Sequence, residues 1–125
     1  MILGTNALSA LAEGESGPTQ QFAHANPAAI PVIVLGEYKF GIAQSRRKQQ
    51  YRRWLEEIVS VSRVLDVDVE TASWYAELRS ELKEKGALIP SNDVWIAALS
   101  RQHNLPILSR DRHFDRIQGV RRLDW

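Results

Sequence analysis

Residues 29–42 read AIPVIVLGEYKFGI. The β-branched run at 29–34 is apolar without alternation, which predicts a short strand buried on both faces. LGEYKFGIAQ (35–44) then reads as a helix, so a buried strand feeds straight into a helix. The same join opens the chain, where MIL (1–3) runs into Gly4 and Thr5 or Asn6 can cap a helix through Leu8, Leu11 and Ala12. EGESGP (13–18) reads as a loop, and TQQFAHA (19–25) as a short helix. A helix over 46–61 places Tyr51, Trp54, Leu55 and Ile58 on one face. VLDVD (64–68) is a third strand, followed by a helix that Gly86 ends, with Trp74, Leu78 and Leu82 along one stripe. SNDVWIAALSRQHN (91–104) reads as a mostly buried helix, PILSRD (106–111) as a fourth strand and VRRLDW (120–125) as an edge strand.

Alternating buried strands and helices predict the α/β class: a small, mostly parallel sheet with helices on both faces. At 125 residues the chain reads as a single domain spanning 1–125. Ligands of such folds bind beyond the carboxyl ends of the strands, so the residues after each strand are the ones to inspect. Strand one is followed by Gly4, Thr5 and Asn6, strand two by Glu37, and strand four by Ser109 and Asp111. Asn92-Asp93 opens a helix that can reach the same edge. Glu37 interrupts an apolar stretch, and a carboxylate buried there costs several kcal/mol unless it is paired or holds a cation. Asp93 has a second account as a helix-dipole residue, and Asp111, between Arg110 and Arg112, has one in surface pairing.

Converging carboxylates point to Mg2+ or Mn2+, which take oxygen ligands. The chain has no Cys, which removes disulfides, thiol catalysis and Cys-ligated zinc. His24, His103 and His113 lack metal-site spacing and read as surface or core histidines, and no phosphate-binding glycine loop or nucleophile elbow occurs. The net charge is only +1, yet the first 38 residues carry no Lys or Arg. Basic residues gather at Arg46, Arg47, Lys48, Arg52 and Arg53, and again at Arg110, Arg112, Arg116, Arg121 and Arg122. An acidic region beside basic clusters is compatible with a metal site serving a polyanion, as well as with solvated helix faces. No apolar run approaches the ~18 residues of a membrane span, and no signal-peptide pattern is seen, so a cytoplasmic location is expected.

LGTNALSAL (3–11), IPVIVLGEYKFGI (30–42), IPSNDVWIAA (89–98), ILSRDRHFDRI (107–117) and the terminal LDW, in that order, resemble the PIN-domain ribonucleases, and among them the VapC-type toxins of type II toxin–antitoxin modules. Each motif is weak alone; the ordered set spans nearly the whole chain. The resemblance implies a three-layer α/β/α sandwich and a Mg2+- or Mn2+-dependent endonuclease that cuts RNA. It implies that Glu37, Asp93 and Asp111 are catalytic metal ligands, oriented with the help of Thr5, Asn6 and Ser109. It implies that Arg46, Arg47, Lys48, Arg52, Arg53, Arg110 and Arg112 hold RNA. A small antitoxin would lie on an apolar groove including Leu8, Leu11, Phe22 and Trp54, and a homodimer or larger toxin–antitoxin assembly is expected. The departure is Gly4, which stands where the family carries a metal-binding Asp. The chain is therefore expected to be inactive or impaired as an enzyme, and a non-catalytic PIN-fold module that binds an antitoxin or another protein is the alternative.

Overall fold

The computed structural model describes residues 1–125. Five strands alternate with six helices: β1 (Ile2–Leu3), α1 (Thr5–Ala12), α2 (Ser16–His24), β2 (Ala29–Pro31), α3 (Val32–Ala43), α4 (Lys48–Ser60), β3 (Arg63–Leu65), α5 (Val69–Glu84), α6 (Ser91–His103), β4 (Ile107–Leu108) and β5 (Arg122–Leu123). A 3-10 helix at Arg112–Arg116 links the last two strands. The sheet order is β3-β2-β1-β4-β5, and every pairing is parallel. In β1 and β4, Ile2, Leu3, Ile107 and Leu108 are all 0 % exposed. Adjacent strand residues point to opposite faces, so the sheet is covered on both sides and the architecture has three layers. The expected fold class is what forms.

The stretch at 29–42 folds differently in detail. The strand ends at Pro31, and Val32, Ile33 and Val34 belong to the first turn of α3. Periodicity cannot separate a short apolar run in a buried strand from one in a buried helix. Pro31 decides between them: it has no N–H for the sheet ladder, and its fixed φ suits the start of a helix. Val34, Tyr38 and Ile42 then form the inward stripe of α3 at i, i+4 and i+8. Glu37 sits beside that stripe and is only half-buried. Helix α2 likewise begins earlier than expected, at Ser16, inside the Gly/Pro segment.

Leu8 is 0 % exposed and Leu11 7 % exposed, both within the main hydrophobic cluster. This corrects the expectation that they line an open groove: α1 turns its apolar stripe into the core, where it packs beside α2 and α3. Phe22 and Trp54 are half-buried at the edge of the core, and Trp54 packs at a tilt on Tyr38, with ring centroids 5.9 Å apart. At the other end of the molecule α5 packs along α6. The Asp68 side chain accepts from the Thr71 backbone N–H at 2.9 Å, and the Asp68 N–H donates to Thr71 Oγ1 at 3.1 Å. The buried Thr71 hydroxyl donates to Gln102 Oε1 of α6 at 2.6 Å, so the cap of one helix is tied to its neighbour.

Two stability tests follow from these contacts. Leu8→Ala should lower the unfolding free energy by about 3 kcal/mol in urea titrations, the usual cost of such a core truncation. Asp68→Ala should lower the melting temperature at neutral pH. Backbone and side-chain hydrogen bonds from Thr71 hold the Asp68 carboxyl below its ordinary value of 3.8. A depressed carboxylate stabilises the fold above its unfolded-state value and ceases to do so as pH falls through its folded value. The gap in melting temperature between the native chain and Asp68→Ala should therefore be full at pH 7 and close only on acidification below 3.8.

Candidate metal centre

Strand order reverses direction between β1 and β4, which opens a crevice at their carboxyl ends. A cleft of about 650 Å³ lies there, lined by Gly4, Thr5, Asn6, Glu37, Asp93, Ser109 and Asp111 among others. Each residue arrives by a short route from the sheet. Gly4 follows β1 directly, and its N–H donates to Leu108 O at 3.0 Å. Ser109 and Asp111 follow β4. Asp93 lies in the first turn of α6, just after Pro90, and Glu37 comes from the second turn of α3.

Hydrogen bonds hold the acids in place. The Thr5 hydroxyl donates to Glu37 Oε1 at 3.1 Å. The Ser109 hydroxyl, almost fully buried, donates to Asn6 Oδ1 at 3.3 Å and accepts from the Asp111 N–H at 2.9 Å. Behind it, Arg122 donates to Ser109 O at 3.0 Å while forking onto Asp115 at 2.8 and 3.1 Å. The Asp115 pairing with Arg122 holds that carboxyl below its ordinary value. Asp93 moves the other way. Burial raises its value first, the negative charges of Asp111 and Glu37 raise it further, and a hydrogen bond from His113 opposes them. Three acids thus crowd one cleft, and Arg110, which also lines it, pairs with Glu15.

His113 is the residue that sequence reasoning missed. It reads as a surface or core histidine, because its relation to Asp93 exists only after folding. Its Nδ1 lies 3.1 Å from Asp93 Oδ2 and 3.0 Å from Asp111 Oδ1. One ligand atom from each of the three lies within 4.8 Å of the others. Residues present therefore fit a divalent cation: two carboxylates and a ring nitrogen converge, and the burial and neighbouring negative charge that raise Asp93 are of the kind a cation offsets. Glu37 faces the same cleft from the Thr5 side and is not part of that tight triad.

Gly4 contributes no donor. Its backbone has φ −73° and ψ 169°, an extended conformation open to any residue, so no turn requires glycine here. A Cβ at this position would meet Leu108 O at 3.2 Å and the Ser109 Cβ at 3.4 Å. A side chain here requires the Leu108 carbonyl to give by a few tenths of an ångström.

Of the seven basic residues expected to hold RNA, Arg110 lines the cleft and the other six do not. Its guanidinium sits 4.5 Å from the Trp125 ring centroid and 3.3 Å from Glu15, which also accepts from Trp125 Nε1 at 3.0 Å. Arg46, Arg47, Lys48, Arg52, Arg53 and Arg112 are exposed. Arg47 stacks on Tyr51 at 5.6 Å, and the Tyr51 hydroxyl donates to Glu13 at 2.6 Å. Through Tyr51, α4 borders a smaller cavity of about 270 Å³ that shares Thr5, Ser9, Glu13 and Glu37 with the main cleft.

The family model for the PIN domain matches residues 1–120. Ribonuclease VapC2 of Rickettsia felis is 32% identical over 101 residues, 80% of this chain and 75% of that protein. The tRNA(fMet)-specific endonuclease VapC of Shigella flexneri is 31% identical over 97 residues, 77% of this chain and 74% of its own length. Among solved structures, VapBC2 from Rickettsia felis bound to a DNA fragment from its promoter aligns with a TM-score of 0.87 at 29% identity, covering 99% of this chain and 97% of that one. DNA-bound VapBC from Salmonella typhimurium aligns with a TM-score of 0.89 at 27% identity, over 99% and 96% of the two chains. No helix here is long and apolar enough to cross a membrane. With the sheet order, the acid-lined cleft and these matches in agreement, the chain belongs to the PIN domain family, among its VapC-type members.

Proposed function

We propose that this chain has the frame of a metal-dependent endoribonuclease toxin of a type II toxin–antitoxin module, acting on RNA phosphodiesters in the cytoplasm. The observation that carries the reading is the convergence of Glu37, Asp93 and Asp111, from α3, α6 and the segment after β4, on one cleft of a PIN fold. Relatives named as ribonucleases, and a structural neighbour from Klebsiella pneumoniae described as a toxin–antitoxin complex, support it. An antitoxin is the natural protein partner, and a homodimer or larger toxin–antitoxin assembly the natural state.

Glu37, Asp93 and Asp111 would hold Mg2+ or Mn2+. Such an ion, when bound, polarises the phosphate and makes its water a nucleophile near neutral pH. The rest falls to the chain's own groups. Thr5 restrains Glu37, and Ser109 restrains Asp111 through its backbone. Arg110 at the cleft rim and the exposed Arg46, Arg47, Lys48, Arg52, Arg53 and Arg112 would meet backbone phosphates. These contacts give affinity and salt dependence more than sequence choice.

Gly4 separates the frame from its competence. With no carboxylate at position 4, the edge of the site next to Ser109 lacks one acidic ligand, and water positioning suffers with it. The same observation favours a second reading, a non-catalytic PIN module that keeps only its protein partner. Gly4→Asp decides between them. The extended backbone accepts Asp, and the revertant with Mg2+ should cleave RNA at least ~10²-fold faster than the native chain, as expected when a misplaced reacting group is restored. A revertant inert on structured and single-stranded RNA, with or without EDTA, overturns the ribonuclease reading and leaves the binding module.

A further inference from the structure

We propose that His113 is a direct ligand of the cation site together with Asp93 and Asp111, and that it makes the native chain prefer Co2+ or Zn2+ to Mg2+. The inference rests on the cleft being a divalent-cation site, and it does not require that the site be catalytic.

The first argument is the position of Nδ1, 3.1 Å from Asp93 Oδ2 and 3.0 Å from Asp111 Oδ1. A ring nitrogen carries either one proton or one lone pair. As an N–H it donates one hydrogen bond shared by both carboxylates. A lone pair facing two carboxylate oxygens is repelled by both. A cation in front of all three atoms removes the conflict.

The second argument is the spacing itself. Adjacent ligands around a cation with bonds of about 2.1 Å stand about 3.0 Å apart in an octahedron and about 3.4 Å apart in a tetrahedron. Both separations from His113 Nδ1 lie within this range, so one ion could take the ring nitrogen together with either carboxylate. The ring is also delivered by a defined path. The His113 N–H donates to Asp111 Oδ1 at 2.9 Å, and the next residue, Phe114, is 2 % exposed and packed in the core. The 3-10 turn thus fixes the imidazole and Asp111 as one unit.

Chemistry then sets the preference. An all-oxygen set suits Mg2+, which sheds water reluctantly. Replacing one oxygen by imidazole favours later first-row ions. The vacancy at Gly4 and the ligand at His113 act in the same direction, since one removes an oxygen and the other adds a nitrogen.

Calorimetric titration of the purified chain with Mg2+ and Co2+, with the Co2+ visible spectrum, tests this. Co2+ should bind roughly tenfold or more tightly than Mg2+. His113→Gln should weaken Co2+ by a similar factor and shift the spectrum, while His113→Asp should return the preference to Mg2+. Thermal melts of both variants establish that they are folded; His113 is partly exposed, its side chain 38% accessible, which favours tolerance. Co2+ affinity and spectrum unchanged in His113→Gln, or no cation bound by the native chain, overturns the proposal. The two readings fail separately. Mg2+-dependent cleavage by Gly4→Asp with Co2+ binding indifferent to His113 sinks this inference alone. An inert Gly4→Asp with His113-dependent Co2+ binding sinks the ribonuclease alone.

Discussion

The pairing of β1 with β4 is the contact on which the rest of the molecule depends. Two residues on each side set it: Ile2 beside Ile107 and Leu3 beside Leu108. The Gly4 N–H then closes on Leu108 O at 3.0 Å, which brings position 4 alongside Ser109. A slip of one residue would carry Gly4 away from Ser109, break its bond to Leu108 O and pull apart the strand ends from which the cleft is built. Both residues of each strand are fully buried, so burial holds the strands in the sheet while the hydrogen bond from Gly4 N–H to Leu108 O marks their register.

Much of this was legible in the sequence, and the limits have physical causes. Short apolar runs feeding helices identified a doubly covered parallel sheet, and the rule that ligands bind beyond strand ends directed attention to Thr5, Asn6, Glu37, Asp93, Ser109 and Asp111, all of which line one cleft. The boundary at 31–34 was hidden because β-branched residues serve equally in a buried strand and in the buried first turn of a helix. Leu8 and Leu11 could not be told from groove residues, because an apolar stripe does not announce whether it faces the sheet or a partner. His113 was invisible for another reason. Its partner Asp93 lies 20 positions away, on a different element, and no local spacing encodes that meeting.

Charge organises the two ends of the chain differently. In the cleft, like charges crowd together and the Asp93 value rises. A few ångströms behind, Arg122 is shared among Asp115, Asp124 and the Ser109 carbonyl, and the carboxyls of Asp115 and Asp124 are held low. The compensated cluster braces the end of β4, while the uncompensated one faces the opening. Glu15 bridges the two regions by gripping both Arg110 and Trp125, so the rim of the cleft is tied to the last strand.

The sheet order also governs when the cleft can exist. β1 occupies the centre, yet its neighbour β4 comes some hundred positions later in the chain. While the polypeptide is being synthesised, β1 can pair only with β2, and its other edge stays open until β4 is made. Contacts so distant in sequence form slowly and late. Asp111 and His113 lie beyond β4, and Asp93 is set by the helix just before it. A nascent chain therefore carries Gly4, Thr5 and Glu37 long before it carries the rest of the acid-lined cleft. The cluster of acids is assembled at the end of folding, when almost the entire chain has left the ribosome.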